Sequence, residues 1–125
     1  MQLLLIATAG ALGAVARYGL SGWIQDRAGF FPWGTLAVNV LGSFLLGFAF
    51  RYLEATALPA EWRQAATIGF LGAFTTFSTF SYEAVAMAQD GDWTGAGTYI
   101  LASVGLGLAA VVVGIGAAHL TLAVR

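Results

Sequence analysis

Four long stretches without a single charged residue, 1–16, 28–50, 64–82 and 93–124, constrain this chain more than any other feature. A helix that crosses a membrane needs about 20 mostly apolar residues at about 1.5 Å of rise each. The stretches therefore predict up to four spans. Shared among four spans, 125 residues leave about 31 for each span and its turn, and no length remains for a soluble domain. Composition agrees: 59% of residues are hydrophobic and 9% charged, against about 25% charged in an ordinary soluble domain. The expected fold is an all-α membrane protein, one domain over residues 1–125. Its spans lie near 3–24, 33–54, 62–88 and 95–123, joined by the turns 25–32, 55–61 and 89–94.

The turns carry Gly29, Pro32, Pro59, Asp90, Gly91 and Asp92, residues that interrupt helices. Trp23, Trp33, Trp62 and Trp93 each fall at a span end, where an indole suits the headgroup layer because its body is apolar and one edge is polar. The first segment has no basic residue ahead of its apolar run, so it reads as a span and not as a removed signal peptide, despite Ala14-Val15-Ala16. A net charge of −1, with five scattered arginines as the only fixed cations, excludes nucleic-acid binding. The absence of cysteine and a single histidine exclude disulfides and Cys- or His-based metal centres. No base–nucleophile pair suggests an enzyme.

Four spans put both termini and the 55–61 turn on one side, with Arg51, Arg63 and Arg125, against Arg27 and Arg17 opposite. That near balance gives the positive-inside rule little to act on. It predicts a chain that inserts in both orientations and pairs as an antiparallel homodimer; a single topology with the N-terminus inside is the competing reading.

Gly10, Gly13, Ala14, Gly105, Gly114 and Gly116 supply small surfaces for helix packing. Polar residues at membrane depth carry more information, since each needs a partner or water. Thr35, Asn39 and Ser43 share one face of span two, and Tyr99 and Ser103, followed by Gly107, repeat that spacing in span four. Two polar stripes suggest a lined path, with helix bridging by Asn39 and back-bonding of each hydroxyl to its own helix as the alternative. Asn39 stands out because its amide has two N–H donors. In span three, Gly72 followed by Thr75, Thr76, Ser78 and Thr79 makes a poor helix, and a break is expected there whose carbonyls could bind a cation. Phe77 and Phe80 would share a face past that break and could turn their positive ring edges to a small anion, although such a pair also serves simple packing. Glu83 is the acidic residue well inside a span, and Arg17 reads as a snorkelling or vestibule residue. His119 reads as interfacial.

The motifs GAVARY (13–18), GTLAVNVLGSFLLG (34–47) and above all GFLGAFTTFSTFSYE (69–83) resemble the small four-span fluoride channels of the CrcB/Fluc family, over essentially the whole chain. The resemblance implies an antiparallel dual-topology homodimer in the cell inner (plasma) membrane, in contact with membrane lipid, with two passive fluoride pores. It also implies a structural sodium ion at the dimer centre, held by backbone carbonyls at Gly72 and Thr75. The family's pore residues correspond to Asn39, Phe77 and Phe80, and its polar track to Thr35, Glu83, Tyr99 and Ser103. Arg17 takes a structural or vestibule role. Gly107 departs from relatives that carry a further hydroxyl there. The competing function is a proton-coupled small multidrug transporter, which would want a midplane carboxylate in span one, where this chain has none.

Overall fold

The computed structural model describes residues 1–125 and is entirely helical, with no strand. Its elements are α1 (Gln2–Ala28), α2 (Trp33–Glu54), α3 (Ala60–Gln64), a π-helical stretch (Ala65–Leu71), α4 (Gly72–Phe74), α5 (Phe77–Gln89) and α6 (Trp93–Ala123). Three of them, α1, α2 and α6, are long and apolar enough to cross a membrane. With 31 residues α6 is about 45 Å long, more than the hydrocarbon core of about 30 Å, so it must tilt or stand out into the headgroups.

Local chemistry sets the ends. Helix α1 runs past the expected turn start at residue 25 and stops at Gly29, whose φ of 83° suits glycine. Gln25 ties the turn: its Nε2 donates to the carbonyls of Gly29 and Phe31 at 2.6 and 3.1 Å, and its Oε1 accepts the N–H of Gly34 at 3.1 Å. Asp92 caps α6 by accepting the N–H of Gly95 at 2.8 Å. Between Phe74 and Phe77 the backbone leaves the helix, with Thr75 at φ −96°, ψ 156° and Thr76 at φ −148°, ψ 114°. The π-helical turns before it have no forerunner in the sequence reading.

The longest packing seam joins α2 to α6, while α1 lies against the π-helical stretch and α4. Lipid tails are as apolar as the helices, so the seam relies on close backbone approach. A Cβ on Gly47 would sit 2.4 Å from the carbonyl oxygen of Val111, and one on Gly114 would sit 2.1 Å from that of Phe44. The two glycines thus interlock, each receiving the other helix's backbone. Gly13 meets the Phe70 carbonyl in the same way, whereas Gly105 and Gly116 face open space and do not pack within the chain. The compact centre is small: Leu36, Phe80, Ala84 and Tyr99, flanked by Phe31, Val40 and Met87. Long apolar side chains elsewhere point outward, as lipid permits.

Gly47→Ala and Gly114→Ala should each destabilise the protein by about 1–3 kcal/mol, while Gly116→Ala leaves stability unchanged. Thermal unfolding in detergent checks this; equal midpoints for all three variants would remove the interlock.

Candidate functional site

Thr76 is the residue whose backbone most needs help, since an extended residue between two helices leaves both its N–H and C=O without a ladder. Asn39 of α2 supplies both partners. Its Oδ1 accepts the Thr76 N–H at 2.7 Å and its Nδ2 donates to the Thr76 carbonyl at 3.0 Å. Gly42, one turn on, lets α2 come close enough, because a Cβ there would meet the Thr75 methyl at 2.3 Å. One Nδ2 hydrogen of Asn39 is therefore engaged, and one remains for a ligand.

The two helix ends at the interruption are met separately. Thr76 caps α5 by accepting the Thr79 N–H at 3.2 Å, and its hydroxyl donates to Thr79 Oγ1 at 2.9 Å. On the other side, Nε of Arg17 donates to the Ala73 carbonyl at 3.0 Å. Arg17 thus sits at the carbonyl end of α4, where a cation is favoured. The Thr75 N–H goes to Leu71, so neither Thr75 nor Thr76 donates to the Gly72 carbonyl, and the Thr75 carbonyl accepts no hydrogen bond. Those carbonyls, from Gly72 and Thr75, have the hard-oxygen chemistry that a small cation takes.

One and two turns into α5 come Phe80 and Glu83. The carboxylate of Glu83 accepts from two hydroxyls, Thr35 at 2.8 Å on Oε1 and Tyr99 at 2.7 Å on Oε2. Thr35 and Tyr99 are both buried. An aromatic chain runs alongside: Phe77 and Phe80 have ring centroids 5.6 Å apart, Phe80 meets Tyr99 at 5.2 Å edge to face, and Phe31 meets Tyr99 at 5.5 Å. Phe80 is 9% exposed and Phe77 79%.

Two cavities flank this chain. The first, of about 330 Å³, is lined by Asn39, Ser43, Thr75, Thr76, Phe77, Phe80 and Ser103 among others. The second, of about 410 Å³, includes Thr35, Thr79 and Glu83. Ser103 Oγ is buried at the first and has no hydrogen-bond partner. The structure so brings Asn39, Phe77, Phe80 and Ser103 to one cavity, and Thr35, Glu83 and Tyr99 into one hydrogen-bonded cluster. Gly107 also borders the first cavity. Sequence reasoning missed Thr76 as the partner of Asn39, and Thr79 as a cavity residue; the spacing Thr76-x-x-Thr79 at a helix start was the available signal.

A small all-helical membrane protein with polar groups gathered around an interrupted helix is the class of ion-conducting or solute-carrying proteins. The family model described as "CrcB-like protein, Camphor Resistance (CrcB)" matches residues 4–115, and this chain belongs to that family. It is 52% identical over 119 residues to a relative from Geobacter sulfurreducens, covering 94% of this chain and 96% of the relative. It is 52% identical over 123 residues to one from Hahella chejuensis, covering 97% of each, and 49% identical over 106 residues to one from Thermus thermophilus, covering 84% of each. All three relatives are named fluoride-specific ion channel FluC.

Asn39→Ala leaves both polar groups of Thr76 unpaired and should lower stability by about 2 kcal/mol or more, whereas Ser43→Ala, which removes no hydrogen bond, changes it little. Denaturation of the purified proteins side by side compares the two.

Proposed function

We propose that this protein is a fluoride-selective passive channel that exports fluoride across the cell inner (plasma) membrane and so confers fluoride resistance. The observation that carries the reading is the cavity at the helix interruption, where Ser103 Oγ is buried without a partner beside Asn39, Phe77 and Phe80. Family membership and the names of the relatives give the ion.

The chemistry follows from the donors. Fluoride is a small anion with a strong appetite for hydrogen bonds, and leaving water is its main cost. Ser103 offers a free hydroxyl and Asn39 its second Nδ2 hydrogen. Phe77 and Phe80 offer ring edges, which carry partial positive charge without a full countercharge to trap the ion. Thr35 and Tyr99 are held on Glu83, so the cluster is a preorganised set of hydroxyls that an ion can approach only by competing with a carboxylate. A narrow, fixed donor set suits fluoride better than the larger chloride. No energy input is needed. Fluoride enters cells from acid surroundings as neutral HF and dissociates inside, and an inside-negative potential of 100 mV contributes about 2.3 kcal/mol per charge, roughly a fiftyfold outward bias.

In this reading α3, the π-helical stretch, α4 and α5 together make the third of four spans, broken at Thr75 and Thr76. Two chains pair antiparallel with two pores. Support comes from the near-even arginine distribution and from Phe77, which a lone chain leaves outside. A sodium ion held by the carbonyls of Gly72 and Thr75 would neutralise the oxygen dipoles left at the break; the unpartnered Thr75 carbonyl fits that role.

Liposomes holding the pure protein should release fluoride and retain chloride when a potassium ionophore sets the voltage, with no proton gradient. Absence of fluoride release from folded, reconstituted protein would sink the proposal and make proton-coupled export of organic cations the next assay. Phe77→Ile and Phe80→Ile should each suppress fluoride flux while leaving the dimer intact, as efflux and cross-linking will show. Replacing sodium by N-methylglucamine should lower the unfolding temperature; an unchanged midpoint would argue against the ion.

A further inference from the structure

A third cavity, of about 230 Å³, lies at the opposite end of α2 from the Glu83 cluster, and the proposed pore does not use it. Helix α2 and the start of the third helical run form its walls. Its lining is graded along the helix axes. Glu54, the last residue of α2, and Arg63, in α3, stand near the turn 55–59, while Ala49, Phe50 and Ile68 lie farther in along their helices. Phe50 and Ile68 are about half exposed, so the apolar end opens sideways toward lipid. Trp62, also half exposed, marks the level of the headgroups beside Arg63.

The two charges at the outer end are not used on each other. Arg63 and Glu54 make no ion pair within 4.0 Å, and Arg63 Nε is buried with no hydrogen-bond partner. Phe50 and Glu54 also border a neighbouring cavity on the α6 side, so they form the partition between this site and the α2–α6 groove. The Arg63 guanidinium lines the cavity and makes no hydrogen bond, and so asks for an anionic oxygen. An unpaired carboxylate in the same cavity wall asks for a cation. One ligand that carries both, attached to an apolar tail that points into the membrane, is a zwitterionic aminophospholipid.

We infer that this cavity binds the headgroup of an aminophospholipid, its phosphate on Arg63, its primary ammonium on Glu54, and the start of one acyl chain along Ala49, Phe50 and Ile68. At about 230 Å³ the cavity is smaller than the about 300–1,000 Å³ of sites that enclose a whole ligand, which fits capture of a headgroup with the tails left in the bilayer. The gradient from charged to apolar along the helix axes selects a lipid over free phosphate, which would have no use for the inner wall. A primary ammonium can donate hydrogen bonds to Glu54 and a choline cannot, so the site distinguishes them.

Native mass spectrometry of the delipidated full chain tests this, with phosphatidylethanolamine, phosphatidylcholine and phosphatidylglycerol of identical acyl chains as probes, and inorganic phosphate as the soluble control. The wild type should retain phosphatidylethanolamine about threefold over phosphatidylcholine, the scale of one exposed charge pair. Glu54→Gln should remove that preference, Glu54→Lys should turn it toward phosphatidylglycerol, and Arg63→Gln should weaken all three lipids alike. Glu54 is exposed and makes no hydrogen bond through its side chain, so its two variants remain informative even if Arg63→Gln fails to elute as a single species. Equal retention of ethanolamine and choline lipids by the wild type, an unchanged preference in Glu54→Gln, or competition by inorganic phosphate alone would overturn the inference. So would a photo-crosslinker on Leu53→Cys that captures a second copy of the chain and no lipid.

Discussion

Everything at the centre of this molecule depends on the amide of Asn39 holding both backbone groups of Thr76. A helix can cross a hydrocarbon layer because it pairs its own polar groups, and any residue that leaves the helix forfeits that pairing. Two extended residues between helices in such a protein are tolerable only if something outside the segment takes over. Asn is suited to the task because its side chain is an amide, with the same donor and acceptor as the peptide group it faces. The side chain thereby acts as a one-residue strand partner inside a helical protein.

Once the chain is interrupted there, two helix ends meet with opposite needs. The carbonyl end at Ala73 receives the guanidinium of Arg17, and the amide end is closed by Thr76 on Thr79. Interruption also resets the phase of the helix that follows, which is how Phe80 comes to face Tyr99 and Glu83 reaches both Thr35 and Tyr99. The glycines of α2 serve the same geometry. Gly42 brings the clasp within reach, and Gly47 holds α6 close enough for Ser103 to border the same cavity.

Much of this was legible in the residues, and the part that was not has a common cause. Membrane character could be read from four uncharged runs because the bilayer acts on every residue in the same way. The polar face of Thr35, Asn39 and Ser43 followed from helical spacing. What a polar residue does there was harder to read, since it depends on which partner tertiary packing delivers. Asn39 drew notice for two free donors, yet one is committed to Thr76. Arg17 was open to a structural or a vestibule role, and the carbonyl it reaches lies on another element that spacing could not name. Gly105 and Gly116 looked like packing surfaces, yet within the chain only Gly114 of that group on α6 receives a neighbour. The π-helical turns from Ala65 to Leu71 left no trace at all, because a single added residue per turn changes no hydrophobic period that a short window can detect.

The interlock of Gly47 with Gly114 has a bearing on how the chain is made. Its halves come from the second helix and the last one, so the partner of α2 is synthesised after every other span has emerged. Until then α2 must wait with the Phe44 carbonyl and Gly47 uncovered, held by its packing on α1 and by the clasp of Asn39 on Thr76. Assembly of this seam is therefore late and non-local. A chain stalled near Asp92 would hold most of the polar residues of the candidate path and lack the helix that encloses them, which makes such fragments natural clients for membrane quality control.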